Sequence, residues 1–383
     1  MNNNWNYPTS VRVGGGRRDE LPGICESLGM RSPLLVTDPG LAGFPTTQNM
    51  IAECRGAGLD IEMFSDVKPN PTGTNVENGV KVYCEGNHDS VIALGGGSGL
   101  DAGKAIAAIA NQTCSLWDLE DIGDNWLNAD AEKIPPIIGI PTTAGTGSEV
   151  GRASVILNEQ EMKKAIIFHP DMLPKTVILD PELTIGLPPH LTAATGMDAL
   201  SHSLEAYSSP LYHPMAEGIA IEGIRLVKEN LPAAVETGTD IEARMEMLVA
   251  SAMGATAFQR GLGAMHALAH PLGALYDAHH GLLNAILMPY VLKANRHVIE
   301  KRVVRLANYL DLPASFDGFL DWILELRVSI GIQNTLLEIG INTDRVEEIG
   351  HMAVADPSAS TNPIQFTAAE YSEILTSAIG SDS

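Results

Sequence analysis

Short, continuous apolar runs punctuate the first half of the chain: Pro33–Thr37 (PLLVT), Ile61–Phe64, Ser90–Leu94 (SVIAL), Pro136–Ile140 and Val177–Leu179. Between them lie segments with helical spacing, such as Gln48–Ala57 and Asp101–Ala110. Strands alternating with helices predict βα units and an α/β domain. After Leu187-Pro188-Pro189 the pattern changes, and 3.6-residue periodicity predicts successive helices over Ala193–Tyr207, Met215–Asn230, Ile241–Gln259 and Gly263–Tyr276. The expected organisation is an α/β nucleotide-type domain over 1–187 and an all-helical domain over 188–383, in keeping with the two domains that 383 residues suggest. A cleft between two such domains is a favoured ligand site.

Composition narrows the class. Hydrophobic residues make up 45% of the chain and charged residues 19%, enough to build full-sized cores. The 24 Lys+Arg against 47 Asp+Glu leave a net charge of −23, which repels phosphate backbones and anionic lipid and argues against nucleic-acid or membrane partners. The N-terminal Met1-Asn2-Asn3-Asn4-Trp5-Asn6 lacks a basic and then apolar leader, and no run reaches the ~18 apolar residues of a membrane span. Cys25, Cys54, Cys84 and Cys114 form no CxxC pair. A reduced, cytoplasmic protein is expected.

Residues Ser90 to Ala110 read as a strand, then Gly95-Gly96-Gly97-Ser98, then a helix opening near Gly99. Glycines admit a ligand close to the backbone, and the N–H groups of a helix start favour an anion. Ser98 and Asp101 have S-x-x-D capping spacing. Walker A fails here, because Ser98 stands where it needs glycine and Ala105 where it needs Ser or Thr. A second loop, Thr142-Thr143-Ala144-Gly145-Thr146-Gly147-Ser148, follows another strand and supplies hydroxyls. Thr37-Asp38 ends an earlier strand and places a carboxylate where dinucleotide folds bind a ribose hydroxyl. Acid before glycines reverses the usual Rossmann order.

Of the eleven histidines, His202, His266, His270, His279 and His280 stand out within Ser201–Gly281, a span that also holds His213. Asp198 and His202 stand four apart on a helical stretch, as do His266 and His270, so each pair shares a face. Two such pairs plus His280 suffice for a tetrahedral or five-coordinate divalent metal site, although any single pair equally suits buried polar packing.

These residues resemble a known family. Leu179-Asp180, Pro188, Thr195-Gly196-Met197-Asp198-Ala199-Leu200 and Glu205, with His266-x3-His270-x2-Gly273 and His280-Gly281, are similar to both signatures of the iron-containing (group III) alcohol dehydrogenases. GGGS at 95–98 and PTTAGTGSE at 141–149 resemble the cofactor loops of that family in the same order. The resemblance implies the dehydroquinate synthase-like fold, with a dinucleotide-binding α/β domain and an all-α domain. It implies NAD and one divalent metal, Fe(II) ahead of Zn(II), bound by Asp198, His202, His266 and His280. It places the pyrophosphate on Gly96, Gly97 and Ser98, Thr142, Thr143 and Thr146 near the nicotinamide, Lys164 on the ribose, and Asp38 as the residue favouring NAD over NADP. His270 becomes the catalytic candidate beside nicotinamide and substrate, with Phe258, Ala153 and His279 as substrate-pocket positions.

Three departures stand out: Gly103 where the family usually has alanine, Ala153 where a lactaldehyde-reducing relative has asparagine, and His279 in place of proline. The implied activity is reversible hydride transfer between NAD(H) and a small alcohol/aldehyde pair, by a homo-oligomer of two or more chains. Three rivals share the fold: a transhydrogenase whose nicotinamide never leaves, a dehydroquinate synthase-like lyase, and a filament subunit. The lyase needs basic residues for an anionic substrate, and Phe258-Gln259-Arg260 offers little such charge. The filament reading draws on longer, fused relatives.

Overall fold

The computed structural model describes residues 7, 9–161 and 163–380. The chain divides into two compact units, Tyr7–Gly186 and the residues from Leu187 onward.

The first unit is built on a six-stranded parallel sheet. Its strands are β1 (Ser10–Val13), β2 (Pro33–Val36), β3 (Glu62–Phe64), β4 (Ser90–Gly95), β5 (Ile137–Pro141) and β8 (Thr176–Leu179), in the order β1-β8-β5-β4-β2-β3. All five strands expected from the apolar runs are present. The apolar runs are continuous because both sheet faces are covered. Leu34, Val36 and Val91 point into one core with the alanines of a helix, whereas Leu35, Ile92, Leu94 and Ile138 point into the other. Helices α1 (Leu21–Ser27), α2 (Pro39–Ala42), α3 (Pro45–Gly56), α4 (Gly73–Glu85) and α5 (Gly97–Ile109) make the crossovers. The sequence pattern missed β1, which is largely exposed, and the antiparallel hairpin of β6 (Ala153–Asn158) and β7 (Lys163–Phe168).

From β2 the chain first crosses outward to β3, then returns to β4 on the other side of β2. The carboxyl ends of β2 and β4 therefore form the topological switch point, where open α/β sheets bind ligands. This explains the reversed order of acid and glycines: Asp38 follows β2 and Gly95–Gly97 end β4, and the two strands are neighbours.

The second unit contains helices α6 (Pro189–Ser208), α7 (Pro214–Glu236), α8 (Ile241–Ala257), α9 (Ala264–Tyr276), α10 (His280–Tyr309), α11 (Phe316–Ser329), α12 (Val346–Ala355) and α13 (Ala368–Ile379). Among the described residues, no helix is long and apolar enough to cross a membrane.

Candidate active site

Helix α6 is buried along nearly its whole length, and it carries Asp198, His202 and Glu205 on successive turns. Glu205 organises the next piece. Its carboxylate accepts the backbone N–H groups of Gly263 and Met265, both at 2.7 Å, and Asn362 Oδ1 accepts that of Ala264 at 3.1 Å. The first turn of α9, which has no cap of its own, is thus satisfied from outside. The same Glu205 accepts Nδ1–H of His266 at 2.7 Å, which fixes the ring and leaves Nε2 to face Asp198. Burial pulls the His266 pKa down, but Glu205 more than offsets this and holds it above the usual value.

Around Asp198 the rings converge. His202 stacks on His266 with centroids 4.8 Å apart, and His266 lies 5.2 Å from His280. One ligand atom from each of Asp198, His202, His266 and His280 lies within 4.8 Å of the others. Asp198 is 2% exposed. Its burial alone would raise its pKa, yet the three imidazoles and the Asn284 amide hold it well below the usual carboxylate range. Among the described residues its ion-pair neighbour is an imidazole, His280, at 3.7 Å, and no Lys or Arg. A buried carboxylate facing three imidazoles is a donor set that suits Fe(II) or Zn(II).

His270 sits one turn beyond His266, stacked on His280 at 5.4 Å. Its Nδ1–H is held by Asp356 Oδ2 at 2.7 Å. Burial pushes the Asp356 carboxyl up, and His270 overcomes this and draws it down. Helix α9 continues through Pro271 to Tyr276, so His270 caps no helix end. Phe258, in a 3-10 turn after α8, presents its ring to His202 at 5.2 Å. His279 is exposed and serves as N-cap of α10, its Nδ1 accepting Leu282 N–H at 3.4 Å.

In the first unit, the remaining candidates gather at the switch point. Asp38 caps α2 through Leu41 N–H (3.0 Å) and lies beside Gly95. The glycine-rich turn is packed by the second loop. A Cβ on Gly97 would come within 2.7 Å of Thr146, and one on Gly96 within 3.3 Å of Thr143. Thr142 N–H donates to Gly95 O at 2.9 Å. Ser98 Oγ donates to Pro69 O, and the adjacent Asn70 accepts Lys164 Nζ at 3.0 Å. The segment Pro69–Asn70 thus ties Ser98 to Lys164. Ala153 opens β6, and its carbonyl accepts Lys104 Nζ.

The expected Ser98–Asp101 cap is corrected. Helix α5 begins two residues earlier than expected, at Gly97, with Gly96 as N-cap and no side-chain cap. Asp101 instead accepts Ser148 Oγ–H and Val155 N–H (3.0 Å), tying the helix to the second loop and to β6. An uncapped helix start is the arrangement an anion exploits.

The comparisons with known proteins follow this geometry. Residues 8–181 match the model of the iron-containing alcohol dehydrogenases, and residues 192–379 match that of the C-terminal part of the Fe-containing alcohol dehydrogenase family. The chain belongs to the iron-containing alcohol dehydrogenase family. It is 37% identical to a 4-hydroxybutyrate dehydrogenase of Cupriavidus necator, over 96% of this chain and 98% of that protein. The crystal structure of a 1,3-propanediol oxidoreductase superposes with a TM-score of 0.93 at 34% identity, covering 98% of this chain and all of the other. A sulfoacetaldehyde reductase of Bifidobacterium kashiwanohense, solved with NAD+, gives 0.90 at 30% identity, with both chains fully covered. As a member of this iron-containing family the protein is an NAD-dependent oxidoreductase acting on alcohols and aldehydes with a divalent metal.

Two residues of the dehydrogenase site escaped sequence reasoning. Asn284 lies four residues after His280, the spacing that picked out Asp198 and His202, so the signal was available. Asp356 lies 86 residues from its partner and had no local signal.

Proposed function

We propose that this dehydrogenase interconverts a short primary alcohol bearing a second polar group with its aldehyde, using NAD(H). The observation that carries the site is the convergence of donor atoms from Asp198, His202, His266 and His280 within 4.8 Å. The substrate class is supported by relatives named for 4-hydroxybutyrate, 1,3-propanediol and sulfoacetaldehyde.

Asp198 and the three imidazoles would hold the ion, with Glu205 keeping His266 in the tautomer whose Nε2 is available. Bound there, a divalent ion supplies Lewis acidity toward the substrate oxygen, and NAD accepts the hydride. The chain's own groups do the rest. The uncapped start of α5, with Gly96, Gly97 and Ser98, receives the diphosphate, Asp38 and Lys164 the ribose, and Thr142, Thr143 and Thr146 border the nicotinamide side. Because Asp356 takes Nδ1–H, His270 presents Nε2 as the acceptor for the alcohol proton. Phe258 and His279 in the helical unit are proposed as substrate-contacting positions, and Ala153 as one in the first unit.

The test is turnover of a panel of short diols, hydroxy acids and simple alcohols, followed by free NADH. Release of NADH is expected, and His280→Ala should abolish both turnover and bound metal. Turnover only in the presence of a second organic acceptor would indicate a transhydrogenase instead. We also place the enzyme in the cytoplasm, supported by four cysteines that stand as free thiols, and read it as a homo-oligomer. Leu211 and Tyr212, between α6 and α7, and Met215, in the first turn of α7, are each about half exposed and are surface of the kind an interface covers. Light scattering returning a monomer would reject the latter.

A further inference from the structure

Asn284 is fully buried on α10, one turn beyond His280. Its amide nitrogen donates to Asp198 Oδ1 at 2.9 Å and stands 3.2 Å from Nε2 of both His266 and His280. They belong to three of the four residues whose donor atoms converge. With ion–ligand bonds of ~2.1 Å, neighbouring atoms of a tetrahedral set stand about 3.4 Å apart, so the amide nitrogen lies at least as close to these three atoms as they would lie to one another. An amide nitrogen has two hydrogens and no lone pair to give a cation. It is a donor aimed at the lone pairs that an ion would use. The opposite orientation would set Asn284 Oδ1 against the Asp198 carboxylate, so the network fixes the amide even though Oδ1 has no hydrogen-bond partner among the described residues.

We propose that Asn284 is a positioning residue for the metal. In the metal-free chain one of its N–H groups holds Asp198 and the other is directed at the two imidazole Nε2 atoms, and after loading its bond to Asp198 keeps one carboxylate oxygen directed. The proposal rests on the reading of Asp198, His202, His266 and His280 as the ligands. It goes beyond that reading by assigning a share of metal affinity to a residue that does not coordinate.

The experiment uses the full-length protein stripped with a chelator. Zn(II) affinity is measured by competition with a chromophoric chelator, the visible spectrum is recorded with Co(II), and the apo-protein Tm is recorded for wild type, Asn284→Leu and Asn284→Ala. Loss of an outer partner of this kind weakens metal binding roughly 10–100-fold. That loss is expected in both variants, with Co(II) band positions unchanged. Affinity within twofold of wild type overturns the proposal, including the case where only the apo Tm falls, because Asn284 is then merely structural. A Co(II) spectrum changed in band number or intensity also overturns it, since Asn284 would then be a ligand. Should Asn284→Leu fail to fold, the smaller Asn284→Ala decides alone. Failure of wild type to bind one ion tightly would instead reject the ligand assignment, so the two failures are distinguishable.

Discussion

His270 illustrates how one side chain's role follows from what holds it. Asp356 accepts a hydrogen bond from its Nδ1–H, and its ring lies flat against His280, so Nε2 is the ring nitrogen left for proton exchange. A positioned acid–base group contributes roughly 10²–10⁴-fold. His270→Ala is therefore expected to lower kcat by that order while elemental analysis still finds about one ion per chain. Full activity would remove His270 from the mechanism, and loss of metal would make it a ligand. Asp38 works by charge. Its carboxylate is anchored by Leu41 N–H next to Gly95, where it offers acceptors to ribose hydroxyls and repels a 2′-phosphate. Asp38→Gly should raise kcat/KM for NADP relative to NAD, and a wild-type preference for NADP would sink this assignment.

At the scale of elements, close packing sets the geometry. Gly281 lets the start of α10 lie against α6, since a Cβ there would fall 2.4 Å from Ala194 O and 3.0 Å from Asp198 Cβ. Gly281→Ala keeps every ligand, yet it must push His280 away from Asp198. It is expected to cost about 1–3 kcal/mol and to lower metal occupancy; normal occupancy with an unchanged Tm would contradict the packing argument. The family's usual alanine at position 103 meets a comparable constraint, because a Cβ on Gly103 would approach Ala93 Cβ to 2.6 Å, and glycine there lets α5 sit tightly on β4.

A buried acid joins β5 to its loop. Glu149 is 1% exposed, and burial pushes its pKa up from 4.5 to about 7. The folded state thus holds this proton more tightly than the unfolded chain. Its contribution to stability is fullest below pH ~4.5 and is lost as pH rises through about 7, by at most about 3 kcal/mol. Glu149→Gln cannot ionise. The Tm of the variant minus that of wild type should therefore shift in the variant's favour between about pH 5 and about pH 8. A difference independent of pH would mean that Glu149 does not titrate in this range.

For the whole molecule, each unit is proposed to bind its own cofactor, the nucleotide at the switch point of the sheet and the metal within the helical unit. A ligand that binds only the folded state stabilises by about 2.7 kcal/mol at 100 times its Kd. Removing the metal with a chelator should lower the Tm, and adding NAD+ should raise it, in differential scanning calorimetry. A Tm insensitive to both would reject the binding assignments.

The sequence alone determined the alternation of strands and helices, the change to helices after Leu187, the glycine turn and the i, i+4 pairs Asp198/His202 and His266/His270, because these depend on periodicity and on spacing within a few residues; the choice of Asp198, His202, His266 and His280 as one set came from the family resemblance. It left β1 and the β6–β7 hairpin unread, since half-exposed edges carry no continuous apolar run. It also misassigned Asp101, whose local capping spacing lost to longer-range bonds with Ser148 and Val155. Only the tertiary structure decided which groups hold the site's side chains. Glu205 bridges 61 residues to His266, Asp356 bridges 86 to His270, and Asn284 bridges 86 to Asp198. Buried polar atoms must find partners wherever packing brings them, and that packing is a property of the folded chain rather than of any local segment.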